Sequence, residues 1–211
     1  MQIPEIGCLS VGNEERTRRM KERFDLLHIK HKLFTSFTYP SHFESLLNER
    51  IYNCMINHLL IIQHYYDLGC PFIIVCENDV YIDKHLQEGI TYVMNQMQRF
   101  NYDIILLGCL LSSIPTHPGI FSYNDDQWGT QAYILTHSYA SRLLERWNHW
   151  TPEDKEGTFA ADWTITKSTS NRGLIYPLLF VEEGESGNNH DIHHQFHSYC
   201  TSLHYNAAYY I

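Results

Sequence analysis

Residues 71–76 read Pro-Phe-Ile-Ile-Val-Cys, an apolar run with no polar alternation. A strand that is hydrophobic on both faces must be covered on both sides, which predicts a mainly parallel sheet between two helical layers. The run ends in Glu77-Asn78-Asp79. Two carboxylates two residues apart do nothing for the folding of a buried strand. The carboxyl end of a central strand is, however, where α/β sheets place ligands. Ionised carboxylates gathered there call for a cation, and Mg²⁺ or Mn²⁺ takes oxygen ligands while also holding substrate phosphates. An acidic loop facing water fits the same three residues, so the rest of the chain has to decide.

Periodicity supplies the other elements. Residues 6–11 form a short β-like run closed by the turn signal Gly12-Asn13. Residues 14–27 read as an amphipathic helix with Met20, Phe24 and Leu27 inside and Arg16, Arg18, Arg19 and Lys21 outside. Residues 32–38 suit a second strand, and residues 45–67 a long helix stopped by Gly69. A helix over 86–100, strands over 102–107 and 130–135, and a helix over 138–147 with Ser138 as a cap follow. Residues 175–181 give one more strand, interrupted by Pro177. Residues 112–128 and everything from Glu182 onward read as loop, the latter rich in histidine. The prediction is a single α/β domain over 1–211, its central sheet mainly parallel and flanked by helices on both faces.

Composition narrows the partners. A net charge of -9 leaves no basic face for nucleic acid, and an acidic protein handling a phosphorylated substrate needs a metal to offset repulsion. The six cysteines are scattered with no CxxC, which suits free thiols in a reducing compartment. No apolar run approaches the ~20 residues of a membrane span, and the amino terminus lacks the shape of a signal peptide. A cytoplasmic protein without an integral membrane segment is expected. The 15 tyrosines and 4 tryptophans offer flat faces to sugar rings and nucleobases, although they equally fill cores.

The order of segments resembles glycosyltransferase family 25, the lipopolysaccharide-biosynthesis type. The resemblance is carried by Leu9-Ser10-Val11 with Arg16, Arg19 and Met20, then by the stretch from Asn53-Cys54 to His58. Glu77-Asn78-Asp79-Val80 is similar to that family's "EDDV", and Gly129-Thr130-Gln131-Ala132-Tyr133 to its "G-T-x-A-Y". Asp162-Trp163 and the sequence Pro177 … His190-Asp191-Ile192 complete the match. The chain departs from the pattern at Asn78, where the family has an acid, and at Cys8-Leu9-Ser10. Within that type, the chain also resembles the amino-terminal domain of chlorovirus multi-domain glycosyltransferases that build capsid glycans. The resemblance implies a GT-A-like fold, with a nucleotide-sugar half over about 1–110 and an acceptor half over about 111–211. It also implies Mn²⁺ or Mg²⁺, a UDP-sugar donor (UDP-rhamnose, UDP-glucose or UDP-galactose), an oligosaccharide acceptor, further domains of a longer parent chain, and host cytoplasm if viral.

Roles follow for individual residues. Asp79 is the expected direct metal ligand, and Glu77, with its longer side chain, reaches the ribose or a metal-bound water. Ser10, Val11, Arg16 and Asn78 are expected beside the nucleotide, a guanidinium suiting uracil or phosphate. His190 is favoured as the further metal ligand within a crowd that includes Asp191, His193, His194 and His197. Asp162, between small apolar neighbours, is the expected base, with a helix N-cap as its alternative use. Trp128, Tyr133 and Trp163 fit an acceptor pocket, Tyr133 suiting a core position better, and His58 reads as a core histidine. The rival functions are a metal-dependent hydrolase or nucleotidyltransferase, and a glycan-assembly or carbohydrate-binding module without turnover.

Overall fold

A computed structural model describes residues 2–40, 50–148, 160–184 and 191–211. The strands are β1 (Ile6–Leu9), β2 (His31–Phe34), β3 (Phe72–Glu77), β4 (Val80–Ile82), β5 (Ile104–Leu110), β6 (Gly119–Phe121), β7 (Trp128–Thr136), β8 (Arg172–Tyr176) and β9 (Phe180–Glu182). The helices are α1 (Glu14–Leu26), α2 (Arg50–Asp67), α3 (Leu86–Phe100), α4 (His137–Asn148), α5 (Ala161–Thr166) and α6 (Asp191–His204). Seven strands form one sheet in the order β2-β1-β3-β7-β5-β8-β6. β2, β1, β3, β5 and β8 run one way, while β7 and β6 run against them. The predicted mainly parallel sheet is therefore present, and its two proposed halves share it.

The uninterrupted apolar character of β3 is used on both faces. Ile73 and Val75 join one core with Met55, Ile62, Tyr139, Leu143 and Ile165 from α2, α4 and α5. Phe72, Ile74 and Cys76 join another with Met20, Phe24, Ile90 and Val93 from α1 and α3. β7 divides in the same way, Tyr133 and Leu135 to the first core, Ala132 and Ile134 to the second. Tyr133 and His58 are fully buried, as their sequence context suggested.

Several local features differ from the sequence reading. Residues 175–181 become two strands in different sheets, because Pro177 has no N–H to continue a ladder. β9 instead pairs antiparallel with β4, aligning Glu182 with Val80. The loop over 112–128 contains β6, and the His-rich segment contains α6 rather than loop alone. α4 starts one residue early, and Thr136 supplies the hydroxyl that accepts the Tyr139 N–H at 3.2 Å. Asn13, not foreseen as a cap, accepts the Arg16 N–H at 3.0 Å and fixes the start of α1.

β9 crosses close over β5 at Gly108. A Cβ there would stand 2.6 Å from the Phe180 carbonyl oxygen and 2.8 Å from its Cβ. Backbone cannot yield as a flexible side chain does, so Gly108→Ala should cost about 1–3 kcal/mol by overpacking. Thermal unfolding of the variant should fall by several degrees, at roughly 2–4 °C per kcal/mol for a chain of this size. An unchanged transition would mean that β9 does not lie this close.

Candidate functional site

The carboxyl ends of β1 and β3 lie side by side, and the antiparallel β7 begins at the same edge of the sheet. A cavity of about 410 Å³ opens there. Leu9, Val11 and Arg16 line it from the first strand–helix unit, and Glu77, Asn78 and Asp79 from the end of β3. Arg50, Asn53, Cys54 and Asn57 of α2 form the opposite wall. The site-residue expectations for Val11, Arg16, Glu77, Asn78 and Asp79 thus converge on one cavity. Ser10 stands just behind them: its hydroxyl accepts from Asn78 Nδ2 at 3.0 Å and shares a 2.7 Å hydrogen bond with the Thr17 hydroxyl. Asn78, in place of an acid, therefore ties the β3–β4 turn to β1.

Asp79 sits at the tip of that turn with its side chain 15% exposed, and Arg16 Nη1 donates to its Oδ2 at 3.0 Å. Its other oxygen, Oδ1, is buried with no hydrogen-bond partner. Burial, then repulsion from Glu77 and Glu182, pushes the Asp79 carboxyl up to about 7, against the pull of Arg16. Glu77 shows the opposite balance. Burial alone would raise it, but His58, the Thr130 hydroxyl and the charge of Arg50 outweigh burial and hold it below the usual range. Thr130 Oγ1 donates to Glu77 Oε1 at 3.1 Å.

Asp162 lies in the first turn of α5, where Ala160 rather than Asp162 takes the N-cap position. Burial and repulsion from Glu77 raise its carboxyl, while the Gly129 N–H and the Thr130 hydroxyl counter the rise. Thr130 thus stands between Glu77 and Asp162, and its single O–H serves one carboxylate at a time. Beside Asp162, the exposed rings of Trp128 and Trp163 flank Lys167, whose Nζ lies 3.6 Å and 4.8 Å from their centroids.

A second acidic pair, not among the residues expected from the sequence, lies at the same edge. Glu182 ends β9 and Glu183 follows it next to the Asp79 turn, where the Glu183 N–H donates to the Asp79 carbonyl at 2.8 Å. Glu183, its side chain 3% exposed, meets Arg19 at 2.8 Å and Arg23 at 2.6 Å. Arg19, expected to face outward, is instead held by Glu183. Glu182 accepts from Gln131 Nε2 at 3.2 Å and from His197 Nδ1 at 2.7 Å, which raises the His197 imidazole. An acid pair directly after an apolar run is the signal that marked Glu77 and Asp79, and it was present at Phe180-Val181-Glu182-Glu183 as well. Of the histidine-rich segment, His197 reaches this edge, whereas His190 lies outside the described residues.

No protein-family model matches the chain, and no curated protein matches it. Among solved structures it is similar to a glycosyltransferase involved in the glycosylation of the major capsid of PBCV-1. That likeness covers 92% of this chain and 99% of that one, at 14% identity and a TM-score of 0.50. It is also similar to A197 from STIV, with 82% of each chain covered, 10% identity and a TM-score of 0.44. The first likeness shows that the chain has the α/β fold of that glycosyltransferase. No helix among the described residues is long and apolar enough to cross a membrane.

The Asp79 environment has a consequence for stability. Its carboxyl binds a proton more tightly in the folded chain than in the unfolded one, so ionising it costs the fold. In EDTA that contribution should be fully favourable below pH ~4, the unfolded value, and be lost as pH rises through about 7. Asp79→Asn removes the ionisation. Relative to wild type, the variant should gain on the order of 2–4 kcal/mol between pH 5 and pH 8 in denaturant unfolding. A pH-independent difference between the two proteins would contradict this account of Asp79.

Proposed function

We propose that the protein is a divalent-metal-dependent, inverting glycosyltransferase of the family-25 type. It would move a sugar from a UDP-sugar to a hydroxyl of a glycan acceptor. The observation that carries this reading is Asp79 Oδ1, a buried carboxylate oxygen without a partner, on the wall of a cavity at the carboxyl ends of β1 and β3. Such an oxygen among further acids fits a hard cation. Asp79, with His190 the proposed further ligand, would hold Mn²⁺ or Mg²⁺, which would supply Lewis-acid stabilisation of a departing diphosphate.

The chain's own residues have separate tasks. Arg16, which holds Asp79 at 3.0 Å, would meet a donor phosphate in the same cavity, since a guanidinium binds phosphate as well as carboxylate. Ser10 and Asn78 hold the turn that presents Asp79, Val11 packs beside the nucleotide, and Glu77 receives the ribose hydroxyls. Asp162 takes the acceptor proton. Its raised affinity for a proton moves it toward the working range of a general base. Trp128 and Trp163 offer apolar ring faces beside Asp162 on which an acceptor sugar stacks. On this reading donor contacts come from about 1–110 and acceptor contacts from about 111–211. The PBCV-1 enzyme's involvement in glycosylating a major capsid makes viral capsid glycans the first acceptors to try.

UDP release from a panel of UDP-rhamnose, UDP-glucose and UDP-galactose, with Mn²⁺ and an oligosaccharide acceptor, tests the proposal. Asp79→Ala should abolish turnover together with metal-dependent donor binding. Asp162→Asn should bind donor within about two-fold of wild type while kcat drops by roughly 10²–10⁴. A near-normal rate in Asp162→Asn would remove it as the base. Metal-dependent UDP binding without any turnover would make the protein a binding module, and no UDP binding would favour a hydrolase.

A further inference from the structure

Cys54 and Glu77 line the cavity, and the fully buried His58 lies behind Cys54 on α2. Cys54 and His58 are four residues apart on α2 and share one face, and Glu77 approaches them from the end of β3. Among the described residues this is the one group of three His, Cys, Asp or Glu whose ligand atoms converge, all within 4.8 Å of one another. We infer that Cys54, His58 and Glu77 form a binding site for Zn²⁺, with its fourth position open to the cavity. The inference does not depend on the transfer reaction.

Three observations support it. His58 is fully buried, and its Nε2 has no hydrogen-bond partner. Glu77 Oε1 is 3.6 Å from that nitrogen, too long for a hydrogen bond. A buried ring nitrogen left this way needs an explanation, and a cation between nitrogen and carboxylate provides one. The other ring nitrogen, Nδ1, is 3.0 Å from the Tyr133 hydroxyl. With a metal bound, a proton on Nδ1 donated to Tyr133 would leave the Nε2 lone pair for the ion, as outer partners do for histidines that bind metals.

Distances and charge agree. Tetrahedral zinc with bonds of about 2.0–2.3 Å keeps neighbouring ligand atoms roughly 3.3–3.8 Å apart. The 3.6 Å His58–Glu77 separation already lies in that range, and the widest gap of 4.8 Å closes with about an ångström of side-chain movement. As the sulfur–metal bond forms, Cys54 releases its thiol proton to solvent. Thiolate and carboxylate then balance the two charges of the ion, so no net charge is left in a poorly solvated place. One sulfur, one imidazole nitrogen and one carboxylate oxygen suit zinc better than Mg²⁺ or Mn²⁺, which favour all-oxygen sets.

The test uses the metal alone, with no nucleotide or sugar, so its result is independent of whether the chain transfers glycosyl groups. Protein stripped of metal is titrated with Zn²⁺ against a chromophoric chelator and, separately, with Co²⁺ while thiolate-to-cobalt charge-transfer absorption is followed. One tight equivalent of zinc and a thiolate–cobalt band are expected. Cys54→Ser should weaken zinc by about 10-fold or more and abolish the band, whereas Cys70→Ser should keep both. The band separates this site from adventitious binding by the many surface histidines. Its absence in wild type overturns the inference whether or not the variant folds, and so does a band or zinc affinity unchanged in folded Cys54→Ser.

Discussion

Four acids arrive at one edge of the sheet, and the arrangement of the surrounding helices answers the need to neutralise them. Glu77 and Asp79 come from the end of β3, Glu182 and Glu183 from the end of β9, and the β4–β9 pairing sets the two pairs together. A charge removed from water is tolerated only when paired and hydrogen-bonded. α1 supplies Arg16 to Asp79 and Arg19 with Arg23 to Glu183, α6 supplies His197 to Glu182, and β7 supplies the Thr130 hydroxyl to Glu77. After this pairing Asp79 still has one buried oxygen with nothing to bind. That unpartnered oxygen is the observation on which the proposed cation site rests.

α1 shows how one residue type serves two ends. Arg16, Arg19 and Arg23 are spaced i, i+3, i+7 and so share a stripe, which faces the acids. Arg18 and Lys21 lie off that stripe and pair with Glu15, Glu22 and Asp25 on the exposed surface. Exposed pairs of this kind contribute little to stability, while the stripe toward Glu183 fixes where the helix sits. Composition alone gives all five cations the same meaning. Their phase on the helix separates them.

The sheet and most helices were legible because they are written in local periodicity. The both-faced apolar run of β3 demanded helical cover on two sides, and the structure provides it. What the sequence concealed depends on contacts between distant segments. β9 reads as the tail of β8 until Pro177 separates them, and its true partner β4 lies about a hundred residues earlier in the chain. Glu182 and Glu183 consequently looked like the start of a polar loop. α6 was hidden for another reason: its His, Ser, Tyr and Thr residues have indifferent helix propensity, and tertiary contacts such as buried Cys200 and the His197–Glu182 pair override it.

Glu77 and Asp162 carry the last step of the argument. Both are carboxyls, both contact the Thr130 hydroxyl, and each repels the other. Their surroundings nevertheless push them apart: Glu77 downward through His58, Thr130 and Arg50, Asp162 upward through burial and the field of Glu77 itself. Two titratable groups driven in opposite directions are suited to different tasks. The one held ionised is fit to grip a cation or accept hydroxyl hydrogens, and the one with heightened proton affinity is fit to take a proton from an incoming hydroxyl. Burial and the charge of Glu77 drive Asp162 upward, and the Thr130 hydroxyl, which donates to Glu77 at 3.1 Å, moderates both carboxyls without setting the direction of either.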